Sequence, residues 1–187
     1  MPGTPLTQYY TATSLDGFIA DPHHSLDWLF TRDHDNENGM LGYGAFIAQV
    51  GALAMGATTY EWILDHEFSG KPESEWKWPY EMPCWVFTHR SLTVVPDAAV
   101  TFTSADVAEV HAEIVEAAAG RNVWLVGGGD LVGQFADVGL LDEVHASIAP
   151  VTLGAGAPLL PHHVELRLEE HGRNGDFVAV RYSVVQS

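Results

Sequence analysis

The sequence predicts an α/β fold built on a mostly parallel central sheet, with helices on both faces and an antiparallel hairpin at the carboxyl end. Three observations point there. Short apolar runs of strand composition alternate with helical segments up to about residue 151. Several strands give way to helices through glycines, as in GATTY (56–60) and GGGD (127–130). The tail then changes character, with two strand runs, 164–171 and 176–184, separated by GRNG, a hairpin signal.

Taken in order, TQYYTAT (7–13) has strand composition, and SLDGFIAD follows as a turn and a short apolar piece. Residues 38–50 place Met40, Tyr43, Ile47 and Val50 at helical spacing. ALAMG (52–56) reads as a strand and ATTYEWIL (57–64) as the helix after it. Residues 65–83, broken by prolines, a glycine and charges, read as a long surface excursion with room for a short helix. CWVFTH (84–89) and AVTFT (99–103) are strands. The clearest helix follows: Thr103 or Ser104 caps it, Val107, Val110, Ile114, Val115 and Ala118 form one stripe, and Gly120 ends it. NVWLVG is the next strand, 130–138 a short helix and EVHASIAPV (143–151) a further strand.

At 187 residues, 47% apolar and 18% charged, the chain suits a single domain over 1–187 with a sizeable core. No export signal and no long apolar run is read, so a soluble, cytoplasmic protein is expected. The lone cysteine, Cys84, opens an apolar run and reads as a small buried hydrophobe in a reducing compartment. A formal net charge of −17 argues against nucleic acid and anionic membranes as partners. An anionic cofactor must then be held by a few local donors.

Gly127, Gly128 and Gly129 offer such donors. A glycine turn from strand to helix lets backbone approach a ligand, and the helix N-terminus presents free N–H groups, a phosphate cradle without a cationic side chain. The alternative is a tight turn and nothing more. Asp130 would repel a pyrophosphate, and a capping role suits it better. The spacing G-x-G-x-x-G is absent, so a dinucleotide-binding domain of that type is disfavoured. At the end of another strand, Thr88, His89 and Arg90 combine hydroxyl, imidazole and guanidinium, a set suited to the 2′-phosphate that distinguishes NADP from NAD. An arginine there can equally be a solvated surface charge. Metal binding is not expected: the pairs His23-His24 and His162-His163 diverge, and no ligand framework surrounds them. No nucleophile elbow and no P-loop lysine occurs.

Four segments, ATSLDGFIAD (12–21), ALAMGATTYEW (52–62), WVFTHRS (85–91) and the run 123–161 with VGGGDL and LGAGAPLLP, together resemble the dihydrofolate reductase fold. The resemblance is to the branch holding the reductase domain of bifunctional riboflavin-biosynthesis deaminase/reductases, and it spans nearly the whole chain. It implies an NADPH-dependent reductase. It places Ala12 and Ile19 beside the nicotinamide, and Gly56, Thr58 and Thr59 at a helix start under the pyrophosphate, opposite Gly127 to Gly129. It puts Thr88, His89 and Arg90 at the 2′-phosphate, and Ser104 near the adenosine. By the same analogy the protein is a homodimer.

Four positions depart from the pattern. Ala57 stands where dihydrofolate reductases have an arginine, and the helix within 38–50 lacks their pterin-binding carboxylate. The polar residue that supports that carboxylate is replaced near Ala146, and Val126 occupies the position of the riboflavin reductases' substrate-contacting glutamate. Folate reduction is therefore disfavoured. The expected activity is NADPH-dependent hydride transfer to a small heterocyclic or imine-like, pyrimidine- or pterin-like, substrate. The alternative is a nucleotide-binding homodimer without turnover. Asp16 is the candidate proton donor, with water as its competitor, and it serves equally well as a bonder of turn amides. Trp28, Tyr43 and Phe46 are candidate substrate walls beside Val126, or else core.

Overall fold

In the computed structural model, residues 4–186 are described. Strand β1 (Thr7–Ser14) turns through Gly17 into the short β2 (Phe18–Ala20), and two brief helices follow, α1 (Asp27–Phe30) and α2 (Tyr43–Ile47). Strand β3 (Val50–Gly56) runs straight into α3 (Ala57–Phe68). Next come β4 (Cys84–Phe87), β5 (Val100–Thr103) and α4 (Val107–Ala117). Strand β6 (Asn122–Gly127) feeds α5 (Gly129–Asp137), and β7 (Glu143–Ala149), β8 (Ala157–Pro158), β9 (Leu166–Asn174) and β10 (Phe177–Val184) complete the chain.

Eight strands form one sheet in the order β5-β4-β3-β6-β1-β7-β10-β9, parallel from β5 to β7 and antiparallel at β10 and β9. Strands β2 and β8 pair separately. Side chains alternate across the large sheet and sort into two cores. Tyr9, Ala52, Ala54, Val123 and Leu125 meet Ile114 of α4 and Leu131, Val132 and Phe135 of α5 on one face. Leu53, Met55, Val86 and Trp124 meet Phe46 of α2 and Tyr60, Ile63 and Phe68 of α3 on the other. Burial on both faces explains why β3 and β6 read as continuous apolar runs.

The order of strands opens a crevice. From β3 the chain crosses through α3 to β4 on one side, whereas from β6 it crosses through α5 to β7 on the other side and the opposite face. The crossovers part to opposite faces beyond the carboxyl ends of β3 and β6, and such a switch point is where ligands gather in α/β sheets.

Four local expectations change. The helix expected over 38–50 shrinks to Tyr43–Ile47, and Val50 starts β3. Residues 35–44 instead wrap in turns closed by Gly39 N–H to Asp35 O and Gly44 N–H to Asn36 O, pinned by the Asn174 amide group on Asp35 and Met40. The N-cap of α4 is Asp106 rather than Thr103 or Ser104, because Thr103 Oγ1 accepts the Ala105 amide in a turn before the helix. The hairpin turns at Gly175-Asp176, so that Gly172 to Asn174 belong to β9. Within 65–83, α3 reaches Phe68 and a 3-10 turn spans Glu73–Glu75, while Trp78 is buried on Tyr60 with ring centroids 5.4 Å apart.

Candidate active site

The two glycine turns that leave β3 and β6 face each other across the crevice. A Cβ at Gly56 would lie 3.8 Å from the Gly127 carbonyl oxygen and 3.9 Å from the Gly128 nitrogen. One at Gly127, whose φ is +146°, would lie 3.4 Å from Thr59 Oγ1. Gly56 and Gly128 are the N-caps of α3 and α5, and neither makes a side-chain capping bond. The first amides of two helices therefore have no side-chain acceptor at their caps, the condition in which a helix N-terminus takes an anion. Gly128 faces open space, where a Cβ would meet nothing within 4 Å, whereas a Cβ at Gly129 would run into the carbonyl oxygens of Pro158 and Leu159. The residues thus fit a pyrophosphate. Asp130 does not cap: it sits in the first turn of α5, accepts a bond of 2.9 Å from Gln134 Nε2 and lies 3.6 Å from His162 Nε2.

A cavity of about 330 Å³ extends from this cradle over the ends of β4 and β5, and Thr58, Thr59, Thr88, His89 and Ser104 line it together with Gly56 and Gly128. Arg90 is not among its lining. Its Nη1 and Nη2 donate to the Glu61 carboxylate at 3.0 and 2.7 Å, while its amide donates to Thr88 Oγ1.

In the other direction the cradle opens into a cavity of about 370 Å³ that includes Ile19, Thr58, Thr59, Val126 and all three glycines. Beyond it lies an aromatic cavity of about 380 Å³ lined by Ala12, Tyr43, Trp62, Tyr80, Trp124 and Val126, among others. Thr11, Leu26, Trp62, Tyr80 and Val126 line both, so the two cavities adjoin. Burial pushes the phenols of Tyr43 and Tyr80 up, so both stay neutral.

Asp16 is placed elsewhere. It is exposed, accepts the Ser14 hydroxyl at 2.6 Å and the amides of Leu153 and Gly154 at 3.0 and 2.7 Å, and lines none of these cavities. The Ser14 bond first, then the amides, hold its carboxyl below the usual range. It ties a turn and is a poor proton source. Phe46 is buried, stacks on Tyr10 at 4.3 Å, and lines a separate cavity with Gln8, Glu143 and His145 rather than the aromatic one. Trp28 also stays outside, because α1 turns Leu26, Leu29 and Phe30 toward the cavity. Among the described residues, no three His, Cys, Asp or Glu side chains gather as a metal site requires, and no helix is long and apolar enough to cross a membrane.

The family described as the RibD C-terminal domain matches residues 5–176. This chain belongs to that family. Membership supports a reductase-type function and bears out the resemblance to the riboflavin-biosynthesis reductase domains. The chain is 33% identical over 182 residues to the uncharacterized protein YwjB of Bacillus subtilis, covering 94% of this chain and 96% of that one. Among solved structures, a candidate riboflavin biosynthesis protein from Shewanella sp. PV-4 superposes with a TM-score of 0.77 at 25% identity, covering 97% of this chain and 99% of that one. The deaminase/reductase of Thermotoga maritima shares the fold, with a TM-score of 0.65 at 16% identity, where the match covers 97% of this chain and 57% of that longer chain.

Within this RibD-type domain, sequence reasoning missed Thr11, Trp62, Tyr80 and Ser147 as cavity residues. A signal for Tyr80 exists. In WKWPYEMPC (76–84), Trp76, Trp78, Tyr80, Met82 and Cys84 all reach one core while Lys77, Pro79 and Glu81 are exposed. That is the period-2 pattern of an extended segment packed on one side.

Proposed function

We propose that this RibD-type domain is an NADPH-dependent reductase that passes hydride to a small heterocyclic or imine-like substrate. The observation that carries this reading is a juxtaposition: two helix N-termini without side-chain caps stand beside a cavity that adjoins, at Val126, an aromatic chamber. When bound, NADPH supplies the hydride. The chain's part is to bind and orient. The amides at Gly56 to Thr58 and at Gly128 to Asp130 take the pyrophosphate, and Thr88, His89 and Ser104 take the adenosine end. Ala12, Ile19 and Val126 flank the nicotinamide. Tyr80 and Trp62 border both spaces and exclude water from the reacting atoms. Tyr80, neutral through burial, donates a hydrogen bond to the substrate, and the proton comes from water rather than from Asp16.

Melting the protein with NADPH or NADH tests the base of this reading. At about 100 times the dissociation constant, NADPH should add roughly 2.7 kcal/mol of stability. No stabilisation by either nucleotide at large excess would remove it. A second reading, a nucleotide-binding protein without turnover, is favoured by the lack, among the described residues, of any Asp or Glu in the lining of the aromatic cavity. Oxidation of NADPH by any cyclic imine in a substrate panel excludes it.

A further inference from the structure

The nucleotide cavity and the aromatic cavity differ in the chemistry of their walls. The nucleotide end presents helix amides, hydroxyls and His89, with the carboxylates of Asp106 and Asp130 also in its lining. The aromatic end is walled by Tyr10, Tyr43, Trp62, Tyr80, Trp124 and Phe177. Among the described residues, no lysine, arginine, aspartate or glutamate lines it. Its imidazole, His34, is exposed and bonded through Nδ1 to the Arg32 carbonyl. Arg32 belongs to the same covering segment, and its Nε is buried without a hydrogen-bond partner, but it is not among the lining residues.

Several polar groups in this wall are already committed. Tyr10 donates its hydroxyl to the Leu41 carbonyl at 3.1 Å. The Asn174 amide group is occupied by the backbone of Asp35 and Met40. Tyr43, Tyr80 and Ser147 also bring hydroxyls to this wall, and burial keeps both phenols neutral. Flat faces and neutral hydroxyls suit a planar ring with carbonyl or ring-nitrogen acceptors. They do not suit an anion, which would be stripped of water without a counter-charge. The net charge of −17 acts in the same direction.

We infer that the compound bound in the aromatic cavity is a planar ring carrying no phosphate or carboxylate group, gripped by aromatic faces and tied by neutral hydroxyls. That this ring is the hydride acceptor rests on the reductase reading; its recognition by the cavity does not.

Calorimetric titration of the full chain, with and without NADPH, uses three probes. Quinoxaline is a neutral ring with C=N bonds, quinoxaline-2-carboxylate is the same ring with a charge, and ribose 5-phosphate is a phosphorylated arm alone. Quinoxaline should bind at least about tenfold more tightly than its carboxylate, and ribose 5-phosphate should give no heat at millimolar concentration. Tyr80→Phe should weaken quinoxaline by about three- to tenfold at an unchanged melting temperature. Equal or tighter binding of the carboxylate, binding of ribose 5-phosphate in the presence of NADPH, or binding of neither ring at millimolar concentration overturns the inference. Selective ring binding with no response to NADPH removes the reductase reading alone, and NADPH binding without ring selectivity removes this inference alone.

Discussion

Arg90 grips the carboxylate of Glu61 with both terminal nitrogens, at 3.0 and 2.7 Å, beside a cavity whose lining includes the neighbouring His89 and Thr88. The two side chains are 58% and 42% exposed, so the pair holds weakly in water, about 0–1 kcal/mol, and yields readily to a better partner. A 2′-phosphate, doubly charged and able to accept a forked guanidinium, is such a partner. Arg90→Ala should lower NADPH affinity about tenfold, or ~1.4 kcal/mol, and leave NADH affinity within about twofold. Glu61→Gln should raise NADPH affinity, because the competing carboxylate is gone. Fluorescence titration of both nucleotides checks this, and an unchanged NADPH/NADH ratio in Arg90→Ala would leave Arg90 as a surface ion pair only.

Two adjacent glycines should separate folding from binding. A methyl at Gly129 meets the backbone carbonyls of Pro158 and Leu159, which cannot swing aside, so Gly129→Ala should cost about 1–3 kcal/mol and lower the melting temperature. A methyl at Gly128 meets nothing within 4 Å, and the backbone there has φ −83°, which alanine accepts. Gly128→Ala should keep the melting temperature and weaken NADPH by occupying the cradle. Equal loss of stability in both would show that Gly128 serves the fold.

Much of this was legible because the sheet imposes regular patterns. ALAMG and NVWLVG announce β3 and β6, and the glycines ending both runs mark the crevice between them. What stayed hidden depends on tertiary contact. Phe46 does wall a pocket, but a separate one, and its ring stacks on Tyr10 instead of bordering the aromatic cavity. Asn174 pins residues 35–40 from 134 or more positions away in sequence, which no local periodicity reveals. Asp16 shows the same limit: a turn residue and a proton donor share one sequence signature, and its bonds to Ser14 and to the distant Leu153 and Gly154 amides are visible only in the fold.

Acid stability should depend on Glu143. Its carboxyl is held down to about 2, chiefly by the hydrogen bond with His145, with Gln8 and Arg181 adding to this and desolvation opposing it. Gln8 Nε2 donates at 2.8 Å and Arg181 Nη1 at 3.0 Å, and the side chain is only 14% exposed. A carboxyl with a depressed folded pKa stabilises the fold above its unfolded value and loses that stabilisation as pH falls toward the folded value. The contribution, on the order of 3 kcal/mol at neutral pH, should therefore disappear between about pH 4.5 and pH 2. Glu143→Gln should lower stability at pH 7 and flatten the acid limb of a melting-temperature profile. An acid limb as steep as that of the parent protein would assign the titration to other carboxylates.

The contact between Gly133 and His162 makes the sharpest prediction, because it reverses sign with background. The His162 ring occupies the space that a side chain at position 133 would fill, in the middle of α5. From there its Nδ1 bonds Asp137 at 2.9 Å and its Nε2 lies 3.6 Å from Asp130, fastening the segment after β8 to the helix. That same segment supplies the Leu159 carbonyl that closes against Gly129, so the clasp stands behind the cradle. Gly133→Ala alone must displace the imidazole, and should cost about 1–3 kcal/mol. In a His162→Ala background the clash is absent, and only the helix preference of alanine over glycine remains, worth up to about 1 kcal/mol in favour. Gly133→Ala should then raise the melting temperature. A double-mutant cycle measured by thermal unfolding should accordingly show a coupling of at least about 1 kcal/mol between the two positions. Additive effects would mean that position 133 is small for another neighbour.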